Sequence, residues 1–333
     1  MVRSGLNFKE REVLRIIVEK YTEEGEWANS FYVAEKLSFK ASPPTVRNIM
    51  ASLEAKGYLS SPSKKGRIPT EKALKIYIDS LLKVKPWKRE KQTEGINIKF
   101  TENLEELIKQ SARVLSEKSQ NLSLLVSPSF FYIPFSHVKF FRLQENVVLV
   151  ILRSLKGLLL TKTVIIDRDY PQEKLDKISD ILNLNFKGRT LREVADIIEE
   201  GFQRGGKLLR ELIQFMRKFM EEREIYVEGE VLIVEKLKGN FEKIRGILKL
   251  FEQKKEILNF LGRLELGHEI QVIWGEEMPF DYSKDCVFLL YSYLPKGIIA
   301  IFGPKYMSYT KALAALDNLG GYLRNTILEV NNE

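Results

Sequence analysis

Over roughly the first eighty positions, apolar residues recur at helical spacing in short blocks separated by turn residues. Leu14, Ile17, Val18 and Tyr21 fall at i, i+3, i+4 and i+7 behind Asn7 and Glu10, which stand at capping-box spacing. This predicts a first helix ending near Gly25. Ser30 is expected to cap a short second helix through Leu37, with Phe31, Ala34 and Leu37 on one face. Ser42, Pro43 and Pro44 mark a third start, Val46, Ile49, Met50 and Leu53 form its inward stripe, and Gly57 fits its stop. That stripe turns Pro44, Arg47, Asn48 and Ala51 outward at 100° per residue. Tyr58 and Leu59 can begin a strand, and Ser61 to Arg67 make a basic turn. Thr70 can then cap a fourth helix with Leu74, Ile76, Tyr77, Ile78 and Leu81 apolar. Three short helices followed by a basic hairpin have the layout of a winged helix-turn-helix.

Beyond a charged tract from Lys83 to Glu94, which reads as a linker, the pattern changes. Residues 103–120 predict a helix and 137–166 strands; Ile270 to Trp274, Val287 to Tyr291 and Ile298 to Phe302 predict further strands before a helix from about Ser308 to Leu328. The stretch between, about 170 to 265, reads as mostly helical, with one short β pair at Ile225 to Val227 and Val231 to Val234. The order suggests an α+β domain interrupted by a helical insertion. Within the insertion, Leu209, Leu212, Ile213, Met216, Phe219 and Met220 form a helical stripe that serves either as core or as a dimerisation face.

Charge sharpens the reading of the first segment. The formal net charge of the 333 residues is +8, and residues 1–92, with 19 Lys/Arg against 11 Asp/Glu, carry all of it. A local excess of this kind points to a polyanion partner. Arg47 and Asn48 have the side chains that pair bidentately with guanine and adenine edges. Ser42, Thr45, Lys64, Lys65 and Arg67 suit phosphates.

Other chemistry finds little support. One cysteine, Cys286, and two distant histidines, His137 and His268, argue against a disulfide framework or a zinc site. No P-loop, dinucleotide glycine motif, His-Glu-x-x-His or Gly-x-Ser-x-Gly occurs. The polar run of His268, Glu269, Glu276, Glu277, Asp281 and Asp285 reads as loop rather than as an acid/base or metal cluster. No cofactor, no metal and no enzymatic activity are expected. The apolar tracts fall short of a membrane span, so a soluble, cytoplasmic protein is expected.

The residues resemble those of the heat-inducible transcription repressor family, HrcA. The resemblance rests on Thr45-Val46-Arg47-Asn48-Ile49-Met50, Leu53-Glu54, Gly57-Tyr58-Leu59, Gly66-Arg67-Ile68-Pro69-Thr70 and Tyr77-Ile78-Asp79. It is supported by Tyr226-Val227-Glu228-Gly229 and by Gly303-Pro304 with Met307 and Tyr309. It implies a dimeric repressor of chaperone operons, bound to an inverted-repeat operator known as CIRCE, with activity tied to heat and to the GroEL chaperonin. It also implies a winged-helix domain, here residues 1–82, joined by a linker, 83–99, to a GAF-like α+β domain, 100–169 and 266–333. An inserted, mostly helical dimerisation domain would occupy 170–265. The chain departs from the family in Pro43 and Pro44, which stand where small polar residues are usual and remove two N–H donors from a helix start, so phosphate contacts are expected to shift toward the wing. An alternative is a winged-helix regulator whose GAF-like domain senses a small effector. The enzyme class is the weakest of the three.

Overall fold

A computed structural model describes residues 5–63, 66–85, 96–201, 211, 214, 216–217, 223–237 and 241–328. It is a mixed α/β, multidomain chain.

In the N-terminal segment, α1 (Phe8–Glu24) starts on a closed capping box between Asn7 and Glu10 and ends at Gly25, whose φ of 71° lies in the left-handed region. Helix α2 (Ser30–Lys36) is capped by Asn29, one residue earlier than the sequence suggests, and Ser30 is its first helical residue. Its inner face also differs from expectation. Val33 is buried, and Phe31 is 63% exposed. Helix α3 (Pro43–Ala55) follows, with Val46, Met50 and Leu53 buried as its stripe predicts and Ile49 half-buried. The two prolines occupy the first helical positions behind the Ser42 cap and do not delay the helix, because their missing donors would have had no intrahelical partner. Strands β1 (Leu59–Ser63) and β2 (Gly66–Pro69) pair antiparallel, and Ala28 bridges Arg67 on the far side of β2. Gly66 is needed there: a Cβ would lie 2.9 Å from the Ala28 carbonyl oxygen. Helix α4 (Glu71–Val84) completes the segment and reaches into the expected linker.

The remainder is built on two sheets. The larger contains β3 (Leu122–Val126), β7 (Ile225–Glu228), β8 (Gln271–Trp274), β9 (Cys286–Leu294) and β10 (Gly297–Pro304), in the order β7-β3-β10-β9-β8 and antiparallel throughout. Helices α5 (Leu104–Ser119) and α11 (Tyr309–Ile327) cover one face. The other face meets α8 (Glu230–Lys236), α9 (Phe241–Glu252) and α10 (Lys254–Gly262). The two sides of the sheet accordingly belong to separate hydrophobic clusters: Leu289 and Ile301 lie in one, Phe288 and Phe302 in the other. Phe251, Phe288 and Phe302 meet in the latter with ring centroids 4.8 to 6.4 Å apart.

The smaller sheet, β4 (Phe135–Gln144), β5 (Val147–Ser154) and β6 (Leu159–Ile165), is a meander with α6 (Gln172–Asn185) packed against β4, while α7 (Leu191–Gly201) meets the short turn Phe130–Tyr132. Helix α6 also seals the free edge of β4. Asn183 accepts from Val138 N–H and donates to Val138 O, Ser179 Oγ accepts from Phe140 N–H, and Gln172 accepts from Arg142 N–H and donates to Phe140 O. An edge strand closed by side chains cannot pair with another chain.

This topology revises the expected division of the chain. Strand β7, at 225–228, belongs to the large sheet through β3, and residues 230–262 cover a face of that sheet rather than forming part of a separate insertion. Strands β4 to β6 form their own sheet with α6 instead of joining the large one. The expected boundary at 170 follows the change from strand-like to helix-like sequence, whereas sheet membership depends on long-range pairing that periodicity does not encode. The expected strand at Val231 to Val234 is part of α8. Gly229, at φ 90°, turns the chain out of β7, and Ile233 and Leu237, four residues apart, reach the core as a helix requires.

Candidate nucleic-acid interface

Hydrogen bonds and ion pairs set the position of α3 within the N-terminal segment. Glu10 on α1 is buried, caps its own helix, and accepts from Ser52 Oγ at 2.9 Å and from Lys56 Nζ at 2.6 Å. The hydrogen bond from Lys56 holds this carboxyl below its ordinary pKa against the opposing effect of burial. The C-terminal end of α3 is thereby fixed to the start of α1. At the other end of α1, Thr22 turns its hydroxyl back onto Val18 O. Glu12 accepts from the backbone N–H and hydroxyl of Ser38, both at 2.8 Å, which holds the turn between α2 and α3.

On the outer face of α3, Pro44, Thr45, Arg47, Asn48 and Ala51 are exposed. Among the described residues no ion pair or side-chain hydrogen bond engages Arg47 or Asn48, so both present unused hydrogen-bonding groups to solvent. Ser42 is also exposed. Its Oγ lies 2.9 Å from Thr45 Oγ1 and caps Thr45 N–H at 3.4 Å. The first turn thus offers hydroxyls, rather than a row of backbone N–H donors, to an anion.

Arg67, expected to hold a phosphate, is already engaged within the chain. Its Nε donates to Glu54 Oε2 at 2.9 Å, its side chain is only 20% exposed, and its backbone exchanges hydrogen bonds with Ala28. Glu54 accepts from Ser61 and Arg67 together, which lowers its pKa and fastens both strands of the hairpin to α3. Arg67 therefore braces the hairpin against α3. Nothing in the local sequence could reveal this, because Glu54 lies thirteen positions away. Lys64 and Lys65, the other basic residues expected to hold phosphates, lie outside the described residues.

Two further cations went unnoticed in the sequence. Lys36 ends α2, Lys40 lies in the turn before α3, and both are exposed without an ion-pair partner among the described residues. Lys40, Phe39, Ala41 and Ser42 help to line a shallow depression of about 430 Å³ beside the start of α3. Their position beside the third helix was the available signal.

Of the stripe read as either core or dimerisation face, Met216 is buried within the chain's own hydrophobic cluster. Leu209, Leu212, Ile213, Phe219 and Met220 lie outside the described residues. The described surface does hold another apolar area. One face of the small sheet presents Phe141, Leu149, Ile151, Leu159 and Ile165, interleaved with Lys139, Arg153, Thr161 and Thr163, and Ile165 is 74% exposed. Among the described residues no helix is long and apolar enough to cross a membrane.

Comparison with known proteins places the whole chain. Residues 105–313 match the family model described as HrcA protein C terminal domain. The heat-inducible transcription repressor HrcA of Thermodesulfovibrio yellowstonii is 26% identical, with 97% of this chain and 98% of that protein aligned. The repressor of the same name from Geobacter sulfurreducens is 28% identical over 94% of this chain and 96% of its own. A crystal structure of a hypothetical protein superimposes with a TM-score of 0.63 at 22% identity, covering 97% of this chain and 98% of that one, and so shares the fold.

Proposed function

Given that the chain belongs to the HrcA family, we propose that its first 82 residues form a winged helix through which this heat-inducible transcription repressor reads an inverted-repeat operator of the CIRCE type in chaperone operons, as a dimer. The observation that carries the reading is the pair of unengaged side chains, Arg47 and Asn48, on the exposed face of α3, directly ahead of a braced hairpin. In this reading Arg47 and Asn48 meet base edges in the major groove, while Ser42, Thr45, Lys64 and Lys65, joined by Lys36 and Lys40, hold phosphates. The five-stranded unit is the GAF-like domain. The small sheet with its helices is the inserted unit, and the exposed apolar residues on that sheet support pairing of two copies. The GroEL chaperonin is a further partner in this proposal, on the family resemblance alone.

The test is binding of the purified protein to the inverted repeat of a chaperone operon and to a scrambled duplex at one near-physiological salt concentration. A preference of about a thousandfold or more is expected. Arg47→Ala should lose about 1–3 kcal/mol on the operator and relax discrimination at one base pair. Equal, strongly salt-dependent binding to both duplexes would leave only charge attraction and sink the proposal. A second reading, with a small effector in the GAF-like domain, is favoured by one observation. A cavity of about 200 Å³ between α5 and α11 is lined in part by Lys118, Lys311 and Asn318, and Asn318 Oδ1 is buried without a hydrogen-bond partner among the described residues. A metabolite that changes operator affinity would decide for it.

A further inference from the structure

Lys305 follows β10 in the turn that leads to α11, and its side chain is 15% exposed. Its ammonium donates to Glu71 Oε2 at 2.7 Å and to the Glu276 carboxylate. Glu71 is the first residue of α4 in the N-terminal segment, and Glu276 lies in the short turn after β8. One lysine therefore ties the N-terminal segment to the five-stranded unit. Its own backbone is held in turn, since its N–H donates to Asp285 O at 3.0 Å. Burial alone would lower the pKa of this ammonium, but Glu276 and Glu71 together raise it, so it stays charged.

The surrounding contacts lie on the same side. Tyr21 on α1 meets Tyr306 edge-on at 6.2 Å, the Lys75 ammonium sits 5.1 Å from the Trp274 ring centroid, and Lys85 reaches Glu269 at 3.7 Å. All of them use α1, α4 or the residue that ends α4, and Arg47 and Asn48 on α3 remain exposed. The contact thus supports the reading helix without covering it. From Glu71 the connection continues to α3. Thr70, the residue before it, donates its hydroxyl to Gly57 O at 2.9 Å, and Lys72 donates to Lys56 O at 2.9 Å, so the first turn of α4 is bonded to the end of α3.

We propose that Lys305 is a positioning residue for operator recognition: bonded to Glu71 and Glu276, it fixes the orientation of the N-terminal segment on the body of the chain and so the separation of the two reading helices in a dimer. The proposal rests on the dimeric operator reading above. Two half-sites of a repeat lie a fixed number of helical turns apart, so a dimer gains from its second contact only if its two reading helices are already spaced to match. A single half-site makes no such demand.

The test uses the full chain and fluorescent duplexes that carry either the whole repeat or one half-site, at one salt concentration. Lys305→Gln should bind the whole repeat at least about tenfold more weakly, while its affinity for the half-site is unchanged. Lys305→Glu, which sets three carboxylates together, should lose at least as much, and adding Glu71→Lys and Glu276→Lys should restore whole-repeat binding. Equal loss on both duplexes, no loss on either, or no recovery in the charge-reversed triple variant would overturn the proposal. If Lys305→Gln fails to fold, the triple variant decides alone. A wild-type protein that fails to prefer the repeat over the half-site would overturn the dimeric reading instead.

Discussion

The two larger sheets solve the same packing problem in different ways. In the five-stranded sheet the central strands are buried along nearly their whole length: every residue of β3 and β10 is buried, and in β9 only Ser292 is not. Their sequences are near-continuous apolar runs because helices cover both faces. In the three-stranded sheet, β5 alternates buried with half-buried or exposed residues, yet three of its four outward positions, Val147, Leu149 and Ile151, are apolar too, and only Arg153 is charged. A sheet with one solvated face normally alternates apolar with polar residues. Apolar side chains at Val147, Leu149 and Ile151 on this second face suit a surface that a partner covers in the dimer proposed above.

That contrast can be tested at graded cost. Phe288→Ala, which empties a site inside the aromatic cluster of the five-stranded sheet, should destabilise the chain by about 3–5 kcal/mol in denaturant unfolding. A loss below 1 kcal/mol would mean that the second face is not a packed core. Asn183→Ala leaves Val138 N–H and C=O at the edge of the small sheet without their partners, and should cost about 1–3 kcal/mol and promote self-association. An unchanged, monodisperse variant would show that α6 does not guard that edge.

Lys236 tests how thoroughly the larger unit is desolvated. It ends α8, donates to Asn121 Oδ1 at 2.7 Å, and burial lowers its pKa to about 8. The unfolded chain binds this proton up to its ordinary value near 10.5, so between pH 8 and 10.5 the unfolded state holds more protons and wild-type stability rises with pH. Below pH 8 the full penalty is present. Lys236→Met removes it, and its stability relative to wild type should fall by up to about 2 kcal/mol from pH 8 to 10.5, after allowance for solvent screening of a half-buried group. A flat or rising difference would contradict the desolvation argument. The smallest folding effect belongs to the exposed apolar residues of the small sheet: Ile151→Lys should change unfolding stability by no more than about 0.5 kcal/mol at concentrations where the chain is monomeric, yet shift the proposed dimer toward monomer in sedimentation. An intact dimer would move the interface elsewhere.

Much of the fold was legible where one physical signal dominates. Helix α3 combines a Ser-Pro-Pro start with a clean stripe, and β9 and β10 are apolar runs too short for spanning helices. The failures share a cause. Val231 to Val234 is rich in β-branched residues, but its partners are sheet residues far away in sequence, and packing overrode local preference. Apolarity alone places Phe31 inward, whereas the cap at Asn29 and the burial of Val33 turn it out. At the candidate interface, Arg47 and Asn48 could be placed because helical geometry orients them. Arg67 could not, since its pairing with Glu54 is tertiary. The Lys305 contact joins residues more than two hundred positions apart and leaves no trace in any local pattern.

The side-chain seal on β4 gives the molecule a built-in reporter. The backbone amides of Val138, Phe140 and Arg142 are bonded to Asn183, Ser179 and Gln172, not to a neighbouring strand. Their hydrogens can therefore exchange with solvent deuterium whenever α6 lifts away, while the amides that β4 and β5 share remain protected until the sheet itself opens. On warming, the interval between those two exchange rates measures, residue by residue, how far the small unit loosens before it unfolds.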